Sequence, residues 1–224
     1  MSYKIAIDGP VAAGKSTIAR ELAKELVYVY IDTGALYRAI GLYLIKNNID
    51  YNNESKVISV LDDINVDIQF VSGVQNVLLN GVVVDKEIRT PLVSEAASVS
   101  SAYQKVREKL LGLQRNIAEA NSCVMDGRDI GSKVLPNANI KFYLTASIDC
   151  RAKRRYEEYR AKGIKIDLEE VKNEIIERDN RDMNRKNDPL VKTPDAILVD
   201  NTDFTLSETL DEILMLIDNH GNKK

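Results

Sequence analysis

One histidine, His220, occurs in 224 residues. That scarcity argues against a Ser-His triad, a zinc protease and a His-ligated metal, so the chemistry must run without imidazole. His220 itself falls in Asn219-His220-Gly221-Asn222-Lys223-Lys224, a tail expected to fray. Cysteine is almost as rare: Cys123 and Cys150 exclude a disulfide scaffold and suit a reducing compartment. No apolar run approaches the roughly 18 residues of a membrane helix. Asp8 and Gly9 interrupt the apolar stretch after Ile5-Ala6-Ile7, so no secretory leader is expected. Excess positive charge is missing as well, since 31 Lys and Arg against 34 Asp and Glu give a net charge of −3. No overall field therefore favours nucleic acid. Repeats, low-complexity tracts and long linkers are absent. The expectation is a cytoplasmic, monomeric single domain over 1–224, with neither membrane nor nucleic-acid partners.

What positive charge exists is local, in Arg151, Lys153, Arg154, Arg155 and Arg160, then Arg178, Arg181, Arg185 and Lys186. Such a cluster on an acidic chain suits a small anion, although a solvated helix face has the same composition. Five short runs read as strands: Tyr3–Asp8, Val27–Asp32, Ser122–Asp126, Asn139–Thr145 and Asp195–Asp200. Each is continuously apolar, as strands covered on both faces should be. Between them lie helical stripes, such as Ile18, Leu22 and Leu26, and Leu206, Leu210, Ile213, Leu214 and Ile217. The alternation predicts an α/β three-layer sandwich with a five-stranded parallel sheet. Val66–Phe70 and Val77–Val84, with turn signals at Ser72-Gly73 and Asn80-Gly81, predict a small antiparallel lobe inserted at 62–92.

Gly9-Pro10-Val11-Ala12-Ala13-Gly14-Lys15-Ser16 follows the first strand and opens a helix. Glycines at this spacing let backbone N–H groups turn inward around a phosphate, and the helix start adds positive dipole. ATP contacts are therefore expected from Gly9, Ala12, Ala13, Gly14, Lys15, Ser16 and Thr17. Lys15 would reach the β- and γ-phosphates, and Ser16 would sit on Mg²⁺. Neither an Asn-Lys-x-Asp base reader nor an Asp-x-x-Gly switch accompanies this loop. A GTPase switch is thereby excluded, and a small kinase remains.

Two further segments follow strands: Asp32-Thr33-Gly34-Ala35-Leu36-Tyr37-Arg38 and Asp126-Gly127-Arg128-Asp129-Ile130-Gly131. In open α/β sheets ligands bind beyond the carboxyl ends of strands, so both share a rim with the phosphate loop. Together with Ile-Asp-Gly-Pro at the loop and Glu177-Arg178-Asp179-Asn180-Arg181-Asp182, they make the chain resemble the bacterial cytidylate kinase family, P-loop nucleoside monophosphate kinases, over nearly its whole length. The resemblance implies transfer of the ATP γ-phosphate to CMP or dCMP, and an inserted lobe that binds the monophosphate. It implies that Ser98, Arg107 and Asp129 contact cytosine, Arg178 and Asp182 the ribose, and Arg38, Arg128 and Arg185 the acceptor phosphate. Thr33 and Tyr37 join the substrate side, where Tyr37 could stack on the ligand or pack in the core. Lys15, Arg128, Arg178, Arg181 and Arg185 are the expected catalytic cations. Asp126 resembles the acidic residue that holds Mg²⁺ beside Ser16, whereas Asp8 is read as structural.

The residue types fit that assignment. A carboxylate such as Asp129 is the natural acceptor for the cytosine amine, while Arg107 and Ser98 can donate to N3 and O2. Arg178, Asp182 and Arg185, at i, i+4 and i+7, share a helical face. Ser98 and Arg107 can converge only if the helix breaks between them, which Ser101-Ala102-Tyr103-Gln104 suggests as a capping box. The segment 153–168, with Gly163 as pivot and Arg154 reaching the nucleotide, is read as a lid excluding water. Two other readings stay open: a kinase of another monophosphate or small metabolite, and a nucleotide-binding regulator without transfer activity.

Overall fold

In the central sheet successive residues point to opposite faces, and both faces are apolar. Ile5 and Ile7 pack with Phe142 and Leu144 on one side, while Ala6 packs with Ile31 and Met125 on the other. The computed structural model describes residues 2–71 and 73–221. In chain order, β1 (Lys4–Asp8) leads through the phosphate loop into α1 (Lys15–Glu25), followed by β2 (Val29–Asp32), α2 (Thr33–Lys46) and α3 (Glu54–Ser59). Next come β3 (Val66–Val71), β4 (Val74–Leu79) and β5 (Val82–Val83), then α4 (Pro91–Ser100) and α5 (Gln104–Ala120). The chain closes with β6 (Cys123–Gly127), β7 (Ile140–Thr145), α6 (Ile148–Ala161), α7 (Leu168–Asn184), β8 (Ile197–Asp200) and α8 (Leu206–Gly221).

The five strands predicted for the core form one parallel sheet, ordered β2-β6-β1-β7-β8. Their bounds differ from the expected ones by one or two residues. Crossovers place α1 and α8 on one face. The opposite face is covered by α5 and the turn Ile130–Val134, through Ala118, Ile130 and Val134. The antiparallel sheet β3-β4-β5 shares a core with α2 and α4 through Leu36, Ile40, Val77, Ile88 and Val93. Asn80 and Gly81 both take positive φ, 50° and 81°, as the tight turn between β4 and β5 demands. Of the other expected turn, Ser72 lies outside the described residues. Among the described residues no helix is long and apolar enough to cross a membrane.

Several local expectations need correction. A break does separate α4 from α5, but no capping box makes it. The cap of α5 is Tyr103, without a side-chain bond, and the Ser101 hydroxyl donates to the Ser98 carbonyl at 2.9 Å instead. Arg185 is not helical; it caps α7 with extended backbone (ψ 145°). His220 lies inside α8, because Ile213, Leu214 and Ile217 pack that helix onto α1 and the sheet. Leu206, expected in that stripe, is exposed. Asn222, Lys223 and Lys224 lie outside the described residues.

Candidate active site

The carboxyl ends of β1, β2 and β6 open onto one cavity of about 320 Å³. At the β1 end the chain can turn sharply because residue 9 is glycine. Its φ is +151°, and a Cβ there would stand 2.0 Å from the Leu144 carbonyl oxygen. The loop is gripped from outside. Asp179 Oδ1 accepts the Val11 N–H at 3.0 Å, Arg151 Nη1 donates to the Val11 carbonyl at 3.0 Å, and Asn201 Nδ2 donates to the Ala13 carbonyl at 3.1 Å. Lys15 Nζ donates to the Pro10 carbonyl at 2.5 Å. Burial, with Arg128 and Arg178 nearby, holds its ammonium well below the ordinary lysine value.

Ser16 donates to Asp126 Oδ2 at 2.8 Å, and Tyr30 OH donates to Oδ1 at 2.9 Å. Burial, with Asp32 close by, pushes the Asp126 carboxyl up to about 6. Such a carboxylate gains from a cation. One hydroxyl and one carboxylate form the sparse protein set that Mg²⁺ uses when phosphates and waters complete its shell. Thr33 Oγ1 donates to the Asp126 carbonyl at 2.7 Å, joining β2 to β6 at the rim.

On the other side most cations face a carboxylate. Asp32 caps α2 at Ala35 N (2.9 Å) and pairs with Arg38 at 2.9 Å and Arg89 at 3.1 Å. Burial alone would raise its carboxyl, but the two guanidinium groups hold it below its ordinary value. Arg128 Nε donates to Asp182 at 2.8 Å. Burial opposes ionisation of Asp182, yet Arg128 and Arg178 hold it below the ordinary value. Asp129 pairs with Arg107, and Arg107 lies over the Tyr37 ring at 5.6 Å. Arg178 is the exception. Its Nε, like that of Arg38, is buried without a hydrogen-bond partner, and burial beside Arg128 holds it down to about 10. An N–H group so placed favours an anionic ligand.

Of the sequence-predicted residues, Ala12, Gly14, Lys15, Ser16, Thr17, Thr33, Tyr37, Arg38, Ser98, Arg107, Asp126, Arg128, Asp129, Arg178, Asp182 and Arg185 line this cavity together. Lys15 and the Arg178–Arg185 segment therefore face each other. Gly9 and Ala13 shape the loop without lining the cavity. Two arginines are displaced from it. Arg154 donates to Asn201 through Oδ1 (3.0 Å) and the carbonyl (2.9 Å), and its neighbour Arg155 lines the cavity instead, about 100° round the helix. Arg181 donates to Ser98 Oγ at 2.9 Å and pairs with Glu95 at 3.1 Å. Arg89, Tyr159 and Lys162 also line the cavity. They lie within the expected lobe at 62–92 and lid at 153–168, but none was expected individually as a contact, because no short motif contains them. Asp8 is structural as expected, accepting the Ile130 and Gly131 N–H groups at 2.8 and 2.7 Å.

A family model described as cytidylate kinase matches residues 5–219. A curated cytidylate kinase of Pediococcus pentosaceus is 49% identical over 99% of this chain and 98% of its own length. One from Caldicellulosiruptor saccharolyticus is 48% identical over 95% and 94%. A solved structure of an uncharacterized protein from Eubacterium ventriosum shares the fold, with a TM-score of 0.55 at 15% identity over 97% of this chain and 99% of that one.

Proposed function

The chain belongs to the cytidylate kinase family, and on that premise we propose that it transfers the γ-phosphate of ATP to CMP or dCMP, yielding ADP and CDP or dCDP. The observation that carries the reading is the single cavity lined by Lys15, Ser16 and Asp126 at one end and by Arg38, Arg128, Arg178 and Arg185 at the other. Two polyanions must approach in line for phosphoryl transfer, and that convergence of cations offsets their repulsion.

An oxygen of the acceptor phosphate attacks the γ-phosphorus, the bond to the β–γ bridging oxygen breaks, and ADP leaves with that electron pair. With a second pKa near 6 the acceptor is already mostly anionic at pH 7, so no general base is needed. Lys15 and the phosphate-loop amides hold the ATP phosphates, and Arg38, Arg128 and Arg185 hold the acceptor. Arg178, whose buried Nε has no hydrogen-bond partner among the described residues, is best used where charge accumulates between them. Mg²⁺, held through Ser16 and Asp126, would neutralise charge on the β- and γ-oxygens.

Asp129 is the acceptor for the cytosine amine, with Arg107 and Ser98 donating to the ring. Uracil would set a carbonyl against that carboxylate, a mismatch of about 1–3 kcal/mol. The lobe at 62–92 carries Gln75, whose side chain accepts the Asp32 N–H at 2.9 Å, and so supports the monophosphate end. The segment 153–168 closes as a lid and brings Arg155 and Lys162 over ATP. Its two unpaired cysteines and its small-molecule substrates suit a cytoplasmic monomer. A coupled assay of ADP release with CMP, dCMP, UMP and AMP tests the reading. CMP and dCMP should give the highest kcat/KM, and equal turnover of AMP would overturn it.

A further inference from the structure

Asp188 lies outside the main cavity and lines a second one, of about 260 Å³, on the far side of Arg107. No motif singles it out, yet it holds both arginines that compete for Asp129. Its carboxylate accepts Arg107 Nε at 2.8 Å. Its carbonyl accepts Arg185 Nε at 2.9 Å, and Arg185 Nη2 as well. The carbonyl can turn back towards Arg185 because Asp188 adopts φ +44°, in the left-handed region that Asp, Asn and Gly tolerate best. The segment is anchored on either side, by Asn187 Nδ2 to the Ala102 carbonyl at 3.2 Å and by Leu190 N–H to the Asp182 carbonyl at 2.9 Å.

The donors of Arg107 can be accounted for one by one. A guanidinium offers five N–H groups. Nε goes to Asp188, one Nη1 hydrogen to the Ser101 carbonyl at 3.1 Å, and one Nη2 hydrogen to Asp129, leaving two for a ligand. Because Nε is occupied from the rear, Arg107 meets Asp129 through one nitrogen rather than as a two-pronged fork. Arg185, drawn to the Asp188 carbonyl, reaches Asp129 Oδ1 only at 3.4 Å.

We propose that Asp188 is a positioning residue for base selection: by occupying Arg107 Nε and holding Arg185 through its carbonyl, it limits each arginine to a single contact with Asp129 and leaves that carboxylate able to accept the cytosine amine. The proposal rests on the CMP-kinase reading above. Without the Asp188 carboxylate, Arg107 is free to turn and engage both oxygens of Asp129, the geometry an arginine–carboxylate pair prefers. CMP then loses an acceptor, whereas UMP, which has no amine at that position, loses little. The effect must therefore depend on the base.

Steady-state kinetics of the full chain with CMP and with UMP, for the parent, Asp188→Gly and Asp188→Asn, test this. Both substitutions preserve the left-handed turn and the carbonyl. Asn keeps a neutral acceptor for Arg107, and Gly keeps none. Asp188→Gly should raise KM for CMP about tenfold, the loss expected of one hydrogen bond from a neutral amine to a charged carboxylate, with kcat within about twofold. Asp188→Asn should fall between it and the parent, and KM for UMP should move by less than about threefold, so the CMP preference narrows. An unchanged CMP-to-UMP ratio in both variants overturns the proposal, and so does an equal rise in both KM values, which would mark a purely structural role. A parent that does not prefer CMP would instead overturn the CMP-kinase reading. Should Asp188→Gly fail to fold, Asp188→Asn, which keeps the shape of the parent residue, decides alone.

Discussion

Three helices of this protein end in the same way, and the residue at the turning point differs each time. At the end of α6, Ile164 N–H donates to the Tyr159 carbonyl and Gly163 N–H to Arg160, with Gly163 at φ +72°. At the end of α2 the corresponding donors are Ile49 and Asn48, with Asn48 at φ +54°. At the end of α1 they are Tyr28 and Val27, with Val27 at φ +57°. This paired pattern needs a left-handed residue, usually Gly and sometimes Asn. A β-branched residue there is strained by about 1–2 kcal/mol. Val27 is 91% exposed, so it recovers nothing by packing. Val27→Gly should therefore stabilise the fold by roughly 0.5–1 kcal/mol, part of the relief being offset by glycine's greater unfolded-state entropy. Urea unfolding measures this. A lower midpoint for Val27→Gly would show that the strain is not there to relieve.

At the scale of elements, the phosphate loop and the pair α6–α7 are joined at Val11. Arg151 on α6 and Asp179 on α7 form a buried ion pair at 2.5 Å, and each also binds one backbone group of Val11. Val11 packs with Ala152, Tyr159, Val171 and Ile175 in a small cluster separate from the sheet core. The joint fixes the root of the helix pair, so any lid motion belongs to the part beyond Arg151. Asp179→Asn strands a buried guanidinium and should cost about 3–5 kcal/mol of stability. An apolar pair, Arg151→Met with Asp179→Leu, removes the stranded charge but leaves the buried Val11 N–H and carbonyl without partners, so it should recover only part of that loss and should raise KM for ATP above the parent's. Urea unfolding and ATP kinetics of both variants check this, and recovery of ATP affinity in the apolar pair would remove Asp179 from any role at the loop.

Core strands such as β1 and β6 stood out because both of their faces are buried, and the motifs at their carboxyl ends were placed on one rim by topology alone. The phase of α6 was not legible. Its charges run all round the helix, so nothing in the order Arg154-Arg155 tells which side chain faces the cavity. Contacts such as Arg107 with Asp188, 81 residues apart, follow from folding and leave no periodic trace. The helical state of His220 was missed because the apolar stripe ending at Ile217, rather than nearness to the terminus, decides how far α8 runs.

Taken as a whole, the molecule is an acidic body with a basic cleft. Its net charge is −3, yet Lys15, Arg38, Arg89, Arg107, Arg128, Arg155, Arg178 and Arg185 line one cavity. Like charges held this close raise the free energy of the folded state, and burial intensifies the cost at Lys15 and Arg178. Anionic ligands relieve it from both ends of the cavity, so folding, ADP binding and CMP binding are linked. At a concentration about a hundredfold above its Kd, either nucleotide should add about 2.7 kcal/mol of stability. For a chain of this size that is a rise in Tm of about 5–10 °C. The lid proposed at 153–168, by closing on one nucleotide and shielding the other, would couple the two sites, so CMP should bind more tightly in the presence of MgADP than alone. Both affinities should weaken as salt rises past about 0.1 M, where the screening length falls to about 10 Å. Titration calorimetry of CMP, with and without MgADP at two salt concentrations, separates these terms. Equal CMP affinity with and without MgADP would mean that closure over the nucleotide leaves the acceptor end untouched, and salt-independent binding would mean that the cationic lining does not set the affinity.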